Sequence, residues 1–209
     1  MTRNEQRQPL LLVSVDGWVD GVAHIASENC DARPQDAAID LLVIHNISLP
    51  PDRFGGDSII RLFTNQLNCE PDSAAHPYFE RLRGLRVSAH FLIRRNGAIV
   101  QCVSCNQRAW HAGVSAFKGR TRCNDFSIGV ELEGSDTVGY APAQYVALLE
   151  LTLALERRYP LAAVAGHEHI APGRKTDPGP CFDWRGYRQA YLARAQGGNE
   201  GLPGLEFPS

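Results

Sequence analysis

A chain of 209 residues with 44% hydrophobic and 21% charged residues has the size and balance of one globular domain. Its formal charge of −2 leaves no basic excess to neutralise nucleic-acid phosphates. No apolar run approaches a membrane span, and the N-terminal Met-Thr-Arg-Asn-Glu-Gln-Arg leads into no long apolar stretch, so the expectation is a cytoplasmic protein without membrane contact.

Residues 1–15 read as an N-terminal segment, 16–195 as the single domain, and the Gly- and Pro-rich 196–209 as a flexible tail. Residues 39–44 are a short branched apolar run ending at His45-Asn46, the pattern of a buried strand. Helical spacing of Ile59, Ile60, Leu62 and Phe63 predicts a short helix over 57–67, followed by a long loop over 68–85. Two strand-like runs, 87–95 and 98–103, flank Asn96-Gly97, which suits the two positive φ values of a type I′ hairpin turn. Residues 126–134 alternate, with Phe126, Ile128, Val130 and Leu132 on one face and Gly129, Glu131 and Glu133 on the other. Pro142 opens a helix to about Arg158, residues 161–165 form a small apolar strand, and a last helix covers 183–195. Strands and helices mixed around one core, with a hairpin embedded, predict an α/β fold with a mixed sheet flanked by helices.

Three places hold candidate polar chemistry: His45, Glu131, and the run from His167 to Pro180. A strand ending in His-Asn can present an imidazole at a cleft, although a hydrogen-bonded core histidine is the plainer reading of a lone His. His167 repeats the pattern, and two histidines with a nearby Asp make a ligand set for zinc with one open position. Asp177 is extended by the proline after it, which turns the Lys175 ammonium to the same side. His169 shares a face with His167 if the strand continues, which makes it the rival ligand. Glu168 hints at an HExxH motif, but Ala171 stands where its second His belongs. Cys102 and Cys105 are formally CxxC, yet on a strand they face opposite sides and no second pair completes a site.

The motifs Leu-Val-Ile-His45-Asn-Ile-Ser-Leu-Pro-Pro, Leu-Arg86-Val-Ser-Ala-His90, Ala-Trp110-His111-Ala-Gly, Cys-Asn-Asp-Phe-Ser-Ile-Gly-Val-Glu131-Leu-Glu-Gly and Ala-Pro-Gly-Arg-Lys175-Thr-Asp177-Pro-Gly-Pro resemble the zinc N-acetylmuramoyl-L-alanine amidases over roughly residues 16–190. The resemblance implies the mixed-sheet fold shared with peptidoglycan-recognition proteins and a zinc held by His45, His167 and Asp177. It implies Glu131 as general base, with Glu133 its competitor on the same face, and Lys175 as stabiliser of the carbonyl oxygen. The reaction implied is hydrolysis of the amide between (1,6-anhydro-)N-acetylmuramic acid and L-alanine in peptidoglycan recycling, by a monomer acting on small muropeptides. The same fold also allows a non-catalytic binding module or an amidase of the polymeric wall. The family pattern has Asp where this chain has His169, so an extra imidazole lies near the metal.

Stem-peptide carboxylates call for arginines in the cleft, and Arg86 and Arg122 lie in matching stretches; solvated surface positions are the alternative for each. Asn46 could bind substrate or fix the His45 ring, and Trp110 and His111 offer an aromatic wall and a polar handle unless Trp110 belongs to the core. Ala171 is counted with these substrate contacts. His24, His76 and His90 read as structural, and Cys181 lies close to Asp177 in sequence.

Overall fold

The structure is a computed structural model that describes residues 10–70, 76–197 and 204–208. Its centre is a six-stranded sheet built from Ala23–His24 (β1), Leu41–Ile47 (β2), Phe91–Ile93 (β3), Ile99–Gln101 (β4), Ser127–Glu133 (β5) and Ala163–Gly166 (β6). In space the order is β1-β4-β3-β5-β2-β6, parallel at every pair except the β3–β4 hairpin. The mixed sheet flanked by helices expected from the sequence is therefore present.

Pairing with β5 carries β2 three residues past the apolar run, beyond the end of its ladder with β6 at Ile44. His45 and Asn46 sit inside the strand rather than beyond its end, with His45 directly opposite Glu131 of β5. Leu42 and Ile44 of β2, with Ile128, Val130 and Leu132 of β5, face a core made with Pro142–Arg158 (α2) and Trp184–Gly197 (α4). Each of these fully buried side chains contributes about 1.5–3 kcal/mol. The opposite face carries Leu41 and Val43, then His45, and packs on Ala112, Cys123, Phe126 and Ile170; further along, Ser58–Phe63 (α1) covers Leu92 and Val100. The site faces this second, loop-covered side.

The helix opened by Pro142 has the bounds the sequence implied, and it stops at Tyr159, which Pro160 holds extended (φ −121°, ψ 149°). Gln144 closes its first turn by accepting from Ala141 N at 3.0 Å, and it donates to carbonyls of both β3 and β5. The hairpin is also present, but its turn is not type I′. Only Gly97 takes a positive φ (83°), and Gly97 N bonds Arg94 O at 2.8 Å, so a type I turn ends on a left-handed glycine. The 68–85 loop contains a 3₁₀ turn at Pro77–Leu82, and residues 71–75 lie outside the described residues. Part of the expected tail is packed: Glu206 exchanges backbone hydrogen bonds with Ala162 and Val164, and Phe207 lies on Tyr187 and Tyr191. No helix among the described residues is long and apolar enough to cross a membrane.

Candidate metal centre and cleft

Three ligand-type atoms converge where β2 and β6 end. His45 Nδ1 lies 3.0 Å from His167 Nδ1 and 2.9 Å from Asp177 Oδ2, and His167 Nδ1 lies 3.0 Å from the same oxygen. Among the described residues these three form a group able to hold a metal ion. Two nitrogens and an oxygen on a triangle of this size approximate the base of a zinc tetrahedron, whose edges are ~3.3 Å for bonds of about 2.0–2.1 Å. The second nitrogen of each ring is engaged elsewhere, His45 Nε2 against His111 Nδ1 (2.9 Å) and His167 Nε2 against Ala112 O (3.0 Å). The donor set thus fits zinc. Burial holds His45 below the usual imidazole range and so favours the neutral, ligating form. Burial also opposes ionisation of Asp177, but its close contacts with the His167 and His45 rings outweigh it and hold the carboxyl well below its usual range.

The rival, His169, is not part of this cluster. The chain does not continue as a strand after β6 but winds into a single helical turn, His167–Ile170 (α3). There His169 Nδ1 accepts from Gly166 N at 2.8 Å while its ring packs on Trp184. Cys181 is also absent from the group; its thiol donates to Asp136 O at 3.2 Å. Cys102 and Cys105 are buried and each pushed up to about 12 by that burial, so both are inert thiols.

The two carboxylates on one face of β5 have different environments. Glu133 accepts from Gly55 N, Arg95 N and the Arg94 guanidinium at 3.0–3.1 Å, so it is consumed in holding the hairpin turn. Glu131 borders the cleft, and its buried Oε2 has no hydrogen-bond partner. Burial, then the Asp177 charge, pushes its carboxyl well above the ordinary range, with Lys175 opposing. A carboxylate so placed binds a proton more avidly than one in water.

The cleft has a volume of about 550 Å³ and is lined by Asn46, Trp110, Glu131, Lys175 and Asp177, among others. Trp110 forms a half-buried wall, and Asn46 donates to Asp136 and to Pro178 O. His111 borders the cleft, but both ring nitrogens are engaged, with His45 and with Ser127 Oγ. Ala171 is buried at the end of α3 rather than on the cleft wall. Neither expected arginine lines the cleft. Arg86 borders a depression that adjoins the cleft through Leu62 and Leu85, and Arg122 is 69% exposed and paired with Asp125. The arginine at the cleft is Arg174, which also donates to Ala112 O at 2.9 Å; its position beside Lys175 was the available signal.

Fold, cleft and donor set together define a hydrolase built around a metal-type site on an α/β sheet. Residues 35–180 match the family described as N-acetylmuramoyl-L-alanine amidase, and the chain belongs to that family. It is 55% identical over 175 residues to the 1,6-anhydro-N-acetylmuramyl-L-alanine amidase AmpD of Citrobacter freundii, covering 83% of this chain and 91% of that protein. A crystal structure of a selenomethionine AmpD derivative superposes with a TM-score of 0.79 at 55% identity, over 83% of this chain and 96% of that one. At 30% identity and a TM-score of 0.52, the chain also resembles Escherichia coli AmiD in complex with anhydro-N-acetylmuramic acid-L-Ala-D-γ-Glu-L-Lys, over 86% of this chain and 65% of that one.

Proposed function

We propose that the protein is a zinc-dependent 1,6-anhydro-N-acetylmuramyl-L-alanine amidase that releases stem peptides from small muropeptides during peptidoglycan recycling. The observation that carries this reading is the convergence of His45 Nδ1, His167 Nδ1 and Asp177 Oδ2 beside the unpartnered Glu131 carboxyl. The names of its AmpD relatives and the muropeptide bound to AmiD support the substrate class. Six free thiols suit the reducing cytoplasm.

A zinc ion held by His45, His167 and Asp177 supplies Lewis-acid polarisation of the scissile carbonyl and the attacking water. Glu131 takes the proton of that water as its oxygen bonds to the carbonyl carbon. It then returns the proton to the departing L-alanine nitrogen as the C–N bond breaks. The raised affinity of this carboxyl for a proton suits both halves of the exchange. Lys175, exposed at the cleft, donates to the carbonyl oxygen as negative charge builds there. Trp110 walls the bound muropeptide, and Asn46 fixes the Pro178 side of the cleft.

The test is mass spectrometry of products from an anhydro-muropeptide and its hydrated counterpart, with and without chelator. Cleavage of the lactyl–alanine amide is expected to stop on chelation and return with zinc. Chelator-resistant cleavage refutes the metal role, and equal turnover of both sugars or of polymeric wall removes the recycling assignment.

A further inference from the structure

The hydrogen bonds behind the candidate metal site dictate where its protons are. Ser127 Oγ lies 2.6 Å from Cys123 O, which can only accept, so the hydroxyl proton is committed to that carbonyl. The same oxygen is 3.2 Å from His111 Nε2 and, its one proton spent, must accept from it. His111 therefore carries its proton on Nε2 and presents Nδ1 as an acceptor, 2.9 Å from His45 Nε2. His45 must in turn carry its proton on Nε2, which leaves the Nδ1 lone pair facing His167 and Asp177. The next residue does the same for the other ring: Ala112 O accepts from His167 Nε2 at 3.0 Å and leaves His167 Nδ1 unprotonated.

The segment that performs this is itself held. Asn124 Oδ1 accepts from the backbone N–H groups of both His111 (3.2 Å) and Ala112 (2.8 Å). The His111 ring lies against Gly129 of β5, where a Cβ would come within 2.5 Å of it. None of these residues takes part in the proton transfers described above.

We propose that His111 is a positioning residue which, with Ser127 and the Ala112 carbonyl, sets the tautomers of His45 and His167 so that both Nδ1 lone pairs face the metal. The proposal rests on His45, His167 and Asp177 being the zinc ligands.

The test measures zinc affinity of the full chain by chelator competition in the wild type and in His45→Ala, His111→Phe, His111→Asn and Ser127→Ala, with ¹⁵N NMR of the histidine rings in the zinc-loaded wild type. His111→Phe keeps the ring but removes the acceptor, and zinc should bind about 10–100-fold more weakly. His111→Asn places Oδ1 where Nδ1 stands and should recover most of that loss, which a purely structural role for the imidazole would not predict. Ser127→Ala should weaken zinc in the same direction by a smaller factor, and it carries the test if His111→Phe does not fold. NMR should find His111 protonated on Nε2. A proton on Nδ1 overturns the proposal, as does wild-type affinity in His111→Phe and Ser127→Ala while His45→Ala loses zinc. Unchanged affinity in His45→Ala instead overturns the ligand assignment and the positioning role with it.

Discussion

Residues of one type have different functions here because their surroundings differ. Glu131 and Glu133 are two positions apart on one face of β5, yet Glu133 is saturated by an arginine and two backbone amides while Glu131 Oε2 has no partner. Replacing Glu131 by Gln should lower kcat by about 10²–10⁴-fold, the usual worth of a general base, while zinc content stays stoichiometric. Turnover paired with metal analysis checks this, and a loss of less than tenfold would remove Glu131 from the mechanism. The histidines divide in the same way. Two converge on the metal site and His111 stands behind one of them. His169 caps a turn, and His24, His76 and His90 hydrogen-bond to backbone groups. Sequence singled out His45, His167, Asp177 and Glu131. It did not reveal that the His111 ring is engaged by His45 and Ser127, because that depends on Ser127 and Gly129 lying beneath it.

At the scale of elements, legibility followed local signal. The helix over 142–158 carries its own start in Pro142 and its own stop in Pro160, and the β3–β4 hairpin carries Asn96-Gly97. The end of β2 has no local marker; its ladder with β6 stops at Ile44, and pairing with β5 alone extends it through His45 to Ile47. Nor can a four-residue helix such as α3 show a period of 3.6, so the change from strand to turn after Gly166 was invisible, and with it the separation of His169 from His167. The hairpin turn is held from outside by Glu133, whose side chain is 2% exposed and bridges Arg94, Arg95 and the loop at Gly55. Glu133→Ala strands these donors and should cost about 3 kcal/mol of stability. Urea denaturation reads the change, and a cost below ~1 kcal/mol would mean that the turn is held by its own backbone instead.

The whole molecule buries charge and imidazole together behind the site. Arg33 is shared among the carbonyls of Cys105, Asn124, Asp125 and Ser127 and touches His90, which is fully buried. Burial, then the Arg33 charge, lowers the His90 ring to about 3. The fold thus keeps this ring neutral while the unfolded chain protonates it below about pH 6.5, so the unfolded state binds more protons and stability must fall as pH drops from about 6.5 toward 3. This group alone can cost up to ~1.4 kcal/mol per pH unit across that window. His90→Asn, which keeps an acceptor for Gly129 N, should flatten the slope between pH 6.5 and 5 in urea titrations; parallel wild-type and variant curves would contradict this origin.

The chain by itself determined the fold class, the long helix and hairpin, and the four residues most exposed to chemical scrutiny, because each is written in local pattern or in contiguous motifs. Only the tertiary structure decided which carboxylate is unpartnered, which imidazole stands behind the site and which arginine reaches the cleft. Those properties depend on pairing across strands such as His45 with Glu131, and on contacts such as His111 with Ser127 and Gly129, which join segments that sequence spacing leaves unrelated.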